Sequence, residues 1–324
     1  MDKYREIAKE MISELNRVIL GKESFIFEVV AALLANGHIL LEDIPGVGKT
    51  TLAIAVSKLM GLQCNRVQFT PDVLPSDLTG FSIYSRETEK FVYQPGAVFC
   101  NLLLADEINR TSPKTQSALL EVMEEMQVTV DGITRNLTLP FLVIATQNPL
   151  GTVGTQPLPP AQMDRFLVCM TMGYPDFENE MLMAKEIDGG KRTERLKAIA
   201  DAEVLVNMQK EVEKVFVNDT IYEYIVRLIT ETRKSQYLSI GVSPRGTISL
   251  VKISKAVAWL KGNDFVSPSD VYDLFPAVAR HRIHISAKAR IDGIDKEEII
   301  QEILNNIKMP SFKRKWLNEK NNIL

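Results

Sequence analysis

The sequence predicts an α/β fold in which a parallel five-stranded sheet lies between helices, followed by a domain built only of helices. Five short apolar runs occur within residues 38–172, and helical patterns separate several of them. Strands that alternate with helices are typical of a parallel, doubly wound sheet. After about residue 178 few strand signals remain. We therefore expect an α/β core at residues 1–177 and an all-helical domain at residues 178–324.

The elements of the core follow one another in a simple order. Residues 4–20 carry apolar side chains at helical spacing, and a second helical pattern runs from about Ser24 to Asn36 and stops at Gly37. Further helices are expected at Thr51–Met60 and Lys114–Met126. The five predicted strands are His38–Leu41, Cys64–Phe69, Leu102–Ala105, Phe141–Thr146 and Phe166–Met172.

Two inserts interrupt the alternation of strands and helices. Residues 81–94 carry aromatic side chains at both ends with charged residues between them. Residues 128–138 contain Asp131-Gly132 between β-prone flanks, which is a strong signal for a tight hairpin turn. We expect a β-hairpin at each place. The aromatic residues of the first insert fit either a binding surface or ordinary cross-strand pairing.

The composition is that of an ordinary globular protein, with 45% hydrophobic and 24% charged residues. A net charge of −3 gives no electrostatic reason to expect a nucleic-acid partner. No run of about 18 apolar residues occurs, and the polar N-terminus shows no secretory signal. Cys64, Cys100 and Cys169 lie far apart in apolar stretches, as core thiols do in a reducing compartment. We therefore expect a cytoplasmic protein without membrane insertion.

A glycine-containing loop follows the first predicted strand and leads directly into a helix. Such a loop can wrap its N–H groups around phosphates at the positive end of the helix. Lys49 would reach the β- and γ-phosphates of a nucleoside triphosphate, and the Thr50 hydroxyl would bind Mg²⁺. Asp43 stands where the usual first glycine lies, but Gly46 and Gly48 occupy the positions of closest backbone approach. The alternative is a chance loop of similar composition.

Polar residues end two later strands, on the edge of the sheet that the loop also occupies. Asp106 could hold Mg²⁺ through its water shell, and Glu107 could polarise the attacking water. Taken alone, the two acids could equally be surface charges. Asn148 could hydrogen-bond the γ-phosphate or orient the water, although an asparagine before a proline also favours a turn.

Two arginines complete the set of candidates. By position Arg165 is a poor candidate for its own subunit's site, but it suits delivery to a neighbour's γ-phosphate. An ordinary surface pair with Asp164 is the alternative. Arg245 lies in the first turn of a helix that Ser243 can cap and Pro244 can open. A cation there opposes the helix dipole, which points weakly to an external anion.

Several stretches together resemble the MoxR family of AAA+ ATPases, over nearly the whole chain. They are Gln68–Gly80, Leu104–Arg110, Pro113–Gln116, Ala145–Pro149, Gln162–Phe166, Ser243–Arg245 and Ala279–Ile283. The resemblance implies ATP and Mg²⁺ as cofactors and an adenine contact within Val18–Lys22, including Ile19; Lys22 replaces the usual glutamine. It also implies a phosphate loop made of Gly46, Val47, Gly48, Lys49, Thr50 and Thr51, a Walker B pair at Asp106 and Glu107, sensor 1 at Asn148, an arginine finger at Arg165 and sensor 2 at Arg245.

The same resemblance implies how the protein works. The helical domain would be a lid that moves against the core, and the chain would assemble into a homo-oligomeric ring, a hexamer, that remodels or matures a protein complex. A partner with a von Willebrand factor A domain is expected. Residues 151–157 lack the acid that usually follows sensor 1, and Pro160 replaces the usual glutamate. The two rival functions are a nucleic-acid motor, for which the second hairpin offers only Arg135 as a basic residue, and a nucleotide-gated scaffold that does not hydrolyse ATP.

Overall fold

The computed structural model describes residues 2–44, 46–148, 156–185 and 192–310, except the side chain of Asp2. In these ranges the strands are β1 Ile39–Glu42, β2 Cys64–Gln68, β3 Phe81–Ser85, β4 Lys90–Gln94, β5 Leu102–Asp106, β6 Gln127–Val130, β7 Ile133–Asn136, β8 Leu142–Gln147, β9 Val168–Met170, β10 Leu238–Ile240 and β11 His284–Ile285. The helices are α1 Asp2–Val18, α2 Glu23–Leu34, α3 Lys49–Leu59, α4 Pro75–Thr79, α5 Pro113–Glu125, α6 Pro160–Met163, α7 Phe177–Lys185, α8 Ala202–Glu213, α9 Asp219–Lys234, α10 Pro244–Leu260, α11 Pro268–Ala279, α12 Ala287–Asp292 and α13 Lys296–Asn306.

A five-stranded sheet with the order β2-β5-β8-β1-β9 forms the centre of the molecule. All four neighbouring pairs are parallel. The helices that connect parallel strands must cross the sheet faces, so the carboxyl ends of all five strands meet at one edge. The predicted parallel sheet between helices is confirmed.

The two faces of the sheet pack against different partners, because successive side chains of a strand point to opposite sides. On one face Ile39 and Leu41 belong to the larger apolar core, which includes α1, α2, α3 and the helices after residue 202. On the other face Leu40 belongs to a second core with Leu119 and Leu120 of α5. The strands are therefore buried on both sides, which explains why they read as continuous apolar runs.

The later helices are fastened to the core by shared packing and by polar contacts. Helix α10 packs against α1 and α2, and α11 packs against β9. Gln209 of α8, a buried side chain, donates a hydrogen bond to the carbonyl oxygen of Leu33 at 2.9 Å. Apolar side chains from both regions form one continuous cluster. The helical region therefore shares the larger of the two cores with the sheet.

Both predicted hairpins are present. Phe81–Ser85 pairs with Lys90–Gln94, and Gln127–Val130 pairs with Ile133–Asn136, each in antiparallel register. Asp131 and Gly132 adopt positive φ angles of 53° and 74° in the second turn. Those angles are the ones that a two-residue hairpin turn needs, which is why the Asp-Gly dipeptide marked it.

Three details differ from the sequence-based expectation. The fifth strand begins at Val168 rather than Phe166, because the Phe166 carbonyl accepts hydrogen bonds from later side chains instead of a neighbouring strand. The helical region contains a short antiparallel ribbon, β10 with β11. Cys64 is only partly buried, whereas Cys100 and Cys169 are core residues. The sequence Asp188-Gly189-Gly190 predicts a polar break between helices, and these residues lie outside the described ranges. Among the described helices, none is long and apolar enough to cross a membrane.

Candidate functional site

The loop between β1 and α3 has the backbone that close approach to an anion requires. Gly46 and Gly48 adopt positive φ angles of 88° and 103°. A Cβ on Gly46 would meet nothing within 4 Å, so it is the backbone angle, rather than a lack of room, that favours glycine there. No side chain caps the N-terminus of α3, and its first turn carries no acid. Its free N–H groups and positive dipole end can therefore receive phosphate oxygens.

Lys49 begins α3 and points back over the loop. Its Nζ donates hydrogen bonds to the carbonyl oxygens of Asp43 at 3.0 Å and Ile44 at 3.2 Å. Thr50 and Thr51 follow in the same turn, and both are partly buried, as is Val47 before them. The ammonium group is thus held by neutral carbonyls, which leaves its charge available for the phosphates of a nucleotide.

Asp43 has a structural role that the sequence alone did not suggest. Its buried carboxylate accepts hydrogen bonds from the N–H groups of Met172 at 2.5 Å and Gly173 at 2.9 Å. It also accepts one from the N–H of Ile44 at 3.0 Å. Asp43 is not among the residues with positive φ. The carboxylate therefore ties the start of the loop to the chain after β9, at a position whose backbone does not need glycine.

Ile19 and Met172 flank the loop from two sides. The Cδ1 atom of Ile19 lies 4.0 Å, and the sulfur of Met172 lies 3.8 Å, from the position that a Cβ of Gly48 would take. Ile19 is 7% exposed. These apolar side chains offer a surface beside the loop where the base of a nucleotide could pack.

The two acids at the end of β5 are joined by a threonine from β8. Thr146 donates to a carboxylate oxygen of Asp106 at 2.7 Å and accepts from the N–H of Glu107 at 2.9 Å. This follows from strand register, because Ala105 pairs with Ala145 and the next residues of the two strands lie side by side. Glu107 adopts a left-handed backbone conformation (φ 57°, ψ 49°) that turns its side chain away from the strand direction.

Side chains of β2 and of the turn after β5 also contact the two acids. Arg66 forms an ion pair with Asp106 at 2.8 Å, and Gln68 donates to Glu107 at 3.0 Å. Arg66 also donates to the amide oxygen of Gln68 at 3.1 Å. Arg110 forms a second ion pair with Glu107, at 2.7 Å. The sequence analysis did not single out these residues as part of the site. Arg66 and Gln68 are two residues apart in β2, so their side chains point to the same face of the sheet, and this spacing could have indicated them.

Asn148 follows β8 at the same edge of the sheet and is partly buried. The side-chain amide of Asn109 donates to its carbonyl oxygen at 3.3 Å. The edge formed by the strand ends therefore collects the loop, Asp106, Glu107 and Asn148. Residues 149–155, which include most of the altered segment noted in the sequence, lie outside the described residues.

Arg165 and Arg245 lie at the opposite edge of the sheet. The N–H of Leu167 bonds the carbonyl of His38, which directly precedes β1, at 2.8 Å. Arg165 therefore lies where the strands begin, separated from the loop by the length of β1, roughly 13 Å for four residues. Arg165 and Arg245 each form an ion pair with Glu124 at the end of α5. The alternative pairing of Arg165 with Asp164 is not observed, and Arg245 does not reach its own subunit's loop.

A buried arginine joins this edge of the sheet to the later helices. The guanidinium of Arg282 donates to a carboxylate oxygen of Asp164 at 2.7 Å and to the Phe166 carbonyl at 2.6 Å. It also donates to the Leu167 carbonyl at 3.1 Å and to the Ser249 hydroxyl at 3.0 Å. Its side chain is 1% exposed. Because a buried charge is tolerated only when it is paired and hydrogen-bonded, this cluster fixes the chain on both sides of Arg165.

Two buried histidines hold the same region. The Nε2 atom of His38 donates to the Met123 carbonyl at 3.1 Å, while its Nδ1 atom accepts the N–H of Val143 at 3.0 Å. Burial lowers the pKa of His38 to about 4, so the ring is neutral at pH 7. His281 bonds the Phe166 carbonyl, and its burial beside Arg282 holds its pKa well below the usual range. His281 is therefore buried within the fold.

Known proteins resemble this chain along most of its length. Residues 38–168 match the ATPase family associated with various cellular activities (AAA), and residues 230–303 match the AAA lid domain. Protein YeaC of Bacillus subtilis is 48% identical over 299 residues, covering 92% of this chain and 93% of its own. Chaperone MoxR1 of Mycobacterium tuberculosis is 38% identical over 308 residues, covering 92% of this chain and 81% of its own.

A solved structure shares the whole arrangement. The crystal structure of a candidate ATPase from Cytophaga hutchinsonii has a TM-score of 0.87 and 36% sequence identity, and it covers 95% of this chain and 96% of its own. Sequence and structure agree on the sheet domain and the helical domain that follows it. This chain therefore belongs to the MoxR family of AAA+ ATPases.

Proposed function

We propose that this chain hydrolyses ATP and uses the energy for a chaperone-like remodelling or maturation of a protein complex. One observation carries the proposal. The uncapped N-terminus of α3, Lys49 and the two acids bridged by Thr146 lie together at one edge of the sheet. A phosphate-binding loop beside a metal-binding acid and a candidate base is the arrangement that phosphoryl transfer to water needs.

The residues at this edge fit a Mg²⁺–ATP complex. Gly46, Val47, Gly48 and Thr51 would cradle the phosphates with backbone N–H groups, and Ile19 would pack against the base. Lys49 would neutralise the β- and γ-phosphates. The Thr50 hydroxyl and Asp106 would hold Mg²⁺, which when bound neutralises the charge that develops on the phosphates.

Hydrolysis would need a base and a polar group near the γ-phosphate. Glu107 would accept the proton of the attacking water, held in place by Gln68 and by the backbone contact to Thr146. Asn148, at the end of the neighbouring strand, would orient that water or bind the γ-phosphate.

Arg165 and Arg245 would act on the nucleotide of a neighbouring copy. They lie together at the edge of the sheet opposite to their own loop, which supports a contribution to a second subunit rather than to their own. An arginine supplied in this way stabilises the charge of the transition state. We therefore propose a homo-oligomeric ring, a hexamer, in which each site is completed by the next subunit.

The biological role rests on the family. The name of chaperone MoxR1 supports a chaperone-like role. We propose a partner with a von Willebrand factor A domain. We also propose a boundary between core and lid near residue 177, which agrees with family matches at 38–168 and 230–303.

The compartment and the rival function are judged from single residues. Three free cysteines fit a reducing compartment, and we propose the cytoplasm. The rival nucleic-acid motor gains no support, because Arg135 lies 3.7 Å over the ring of Tyr93 and also donates to backbone carbonyls of its own hairpin.

The direct test is nucleotide binding and phosphate release by the wild-type chain and by Lys49→Ala. The substitution removes the positive charge that would lie on the β- and γ-phosphates, so tight ATP binding should be lost while the thermal unfolding midpoint stays near that of the wild type. Lys58→Ala, on the same helix but exposed near its other end, is the matched control and should bind ATP normally. Equal ATP affinities for wild type and Lys49→Ala in calorimetry would contradict the assignment of the loop.

A further inference from the structure

One carboxylate, that of Glu124, faces two arginines that come from distant parts of the chain. Arg165 precedes β9, and Arg245 lies in the first turn of α10. The Nε atom of Arg165 lies 2.8 Å from one oxygen of Glu124, and a terminal nitrogen of Arg245 contacts the other oxygen. The side chains are 29% and 42% exposed for the arginines and 38% exposed for the glutamate, so the group lies at the surface.

The contacts to Glu124 leave most of the two guanidinium groups unused. A guanidinium has five N–H donors, and Glu124 engages one nitrogen of each. Within the part of the chain that the structure describes, the side chains of Arg165 and Arg245 form no other ion pair or hydrogen bond. The remaining donors can therefore bind an anion from outside while Glu124 keeps its hold. Glu124 orients the arginines without blocking them.

The chain behind the two arginines is fixed by a single polar cluster. Asp164, the residue before Arg165, accepts a hydrogen bond from Ser243 at 2.6 Å, and Ser243 caps the helix that carries Arg245. Asp164 is also ion-paired with the buried Arg282 at 2.7 Å. The backbones of both arginines are thus held in one frame. These backbone contacts alone do not hold the flexible side chains of Arg165 and Arg245 close together, because two positive charges repel each other.

We propose that Glu124 is a positioning residue that holds Arg165 and Arg245 as one two-cation group for the triphosphate of a neighbouring copy of this chain. This inference rests on the proposed function, and in particular on the two arginines acting between subunits. The carboxylate offsets part of their mutual repulsion and fixes the directions of their free donors. Orientation of this kind matters because a small misplacement of a catalytic group costs a large factor in rate.

The test compares Glu124→Gln with Glu125→Gln. Glutamine keeps the shape of the side chain but loses the charge that the two arginines share. Glu125 is the next residue of α5 and is also exposed, but it forms no ion pair among the residues described, so its variant should behave as the wild type. Glu124→Gln should bind ATP in its own site with wild-type affinity, and hydrolyse it on the order of 10-fold or more slowly.

A variant that lacks both arginines separates positioning from a general structural effect. If Glu124 acts through the arginines, Arg165→Ala,Arg245→Ala,Glu124→Gln should hydrolyse ATP at the rate of Arg165→Ala,Arg245→Ala. A structural role would instead multiply the two losses and lower the thermal unfolding midpoint of Glu124→Gln. Either of those results overturns the inference, as does wild-type activity in Glu124→Gln. An activity above that of the wild type would mean that Glu124 competes with the phosphate, and would also overturn it.

A second measurement does not depend on hydrolysis. In the Glu107→Gln background, ATP-dependent assembly is followed by analytical ultracentrifugation, and adding Glu124→Gln should raise the ATP concentration needed for half-maximal assembly. Adding Glu125→Gln should not. If the wild type binds ATP but does not hydrolyse it, the ATPase proposal fails while this assembly test still decides the role of Glu124. An unchanged midpoint would refute the inference.

Discussion

At the scale of single residues, Glu107 is placed by backbone geometry as much as by its neighbours. Its left-handed conformation and the hydrogen bond from its N–H to Thr146 fix where the carboxylate can lie. Arg110 and Gln68 both contact one carboxylate oxygen, Oε2. The other oxygen, Oε1, accepts no hydrogen bond from the residues that the structure describes, and it is the atom that could take a proton from water.

Replacement of Glu107 by Gln should separate binding from hydrolysis. The amide keeps the size of the side chain but cannot accept a proton from water, so we expect ATP binding to persist and hydrolysis to slow by roughly 10²-fold or more. Steady-state phosphate release together with calorimetric ATP titration measures both. Glu121→Gln, an exposed change on α5, serves as the control. Hydrolysis at the wild-type rate would show that the base is another group.

His38 should make the stability of the fold depend on pH. Its pKa is about 4 when folded and about 6.5 in the unfolded chain, so the unfolded state binds more protons between these values. The stabilisation is complete above about pH 6.5 and is lost as the pH falls toward 4. From pH 7.5 to 5.5 the free energy of unfolding should fall by about 1 kcal/mol from this residue. His281, whose pKa is also lowered, should add to the effect.

Urea unfolding of the wild type and His38→Gln at the two pH values isolates this contribution. The variant should be less stable by about 1–3 kcal/mol at pH 7.5, because the Val143 N–H and the Met123 carbonyl are buried and lose well-placed partners. It should also lose less stability than the wild type on acidification. An identical pH dependence in both proteins would contradict the assignment to His38.

At the scale of elements, the β3–β4 hairpin divides its aromatic residues between two tasks. Tyr93 packs edge-to-face on Phe99, donates its hydroxyl to the Thr79 carbonyl and lies under Arg135. Phe91 is 74% exposed and touches Tyr84, itself exposed, at a ring distance of 5.6 Å. The sequence left both readings of these aromatics open. The structure shows that Tyr93 is a structural residue, while Tyr84 and Phe91 present an apolar surface to solvent.

Two substitutions in β4 should therefore have opposite outcomes. Tyr93→Ala should lower the free energy of unfolding by about 2–4 kcal/mol, because it removes an aromatic contact and leaves its partners unpaired. Phe91→Ser should change stability by less than about 0.5 kcal/mol, as expected for an exposed position. Urea denaturation followed by circular dichroism compares the two. A large loss from Phe91→Ser would mean that Phe91 is buried in solution.

At the scale of the whole molecule, the division of the candidate site between two edges of one sheet determines how it can be completed. The loop and the acids lie where the strands end, and Arg165 and Arg245 lie where they begin. The contacts of Arg282 and the shared apolar core join the helical region to that second edge. This bonding makes a free swing of the lid against its own core costly. We therefore expect nucleotide-driven movement mainly between subunits.

Mixing two inactive variants tests the shared site. Arg165→Ala should bind ATP normally and hydrolyse it poorly, since an arginine supplied between subunits contributes on the order of 10³–10⁵ in rate. Combined with Glu107→Gln, it should regain activity, because some junctions would join an intact Glu107 to an intact Arg165. Arg227→Ala, an exposed change on α9, is the control and should be active alone. Ring-sized oligomers that exchange subunits yet stay inactive would exclude Arg165 from this role.

The sequence by itself determined the features that depend on near neighbours along the chain. Short continuous apolar runs predicted the five strands, and a dipeptide predicted the β6–β7 turn. The loop before Lys49 was recognisable because its residues are consecutive. The acids of β5 were found in the same way, since they directly follow an apolar strand.

Only the tertiary structure decided which distant side chains meet. Arg282 and Asp164 are 118 residues apart, Arg245 and Glu124 are 121 apart, and Arg66 and Asp106 are 40 apart. No local pattern encodes such pairs, because they depend on the order of strands in the sheet and on how the later helices pack against it. Three further features follow from that packing, since each depends on burial and on partners brought together by the fold. They are the place of Arg245 at the far edge, the hydrogen bonds from Met172 and Gly173 to Asp43, and the neutral state of His38.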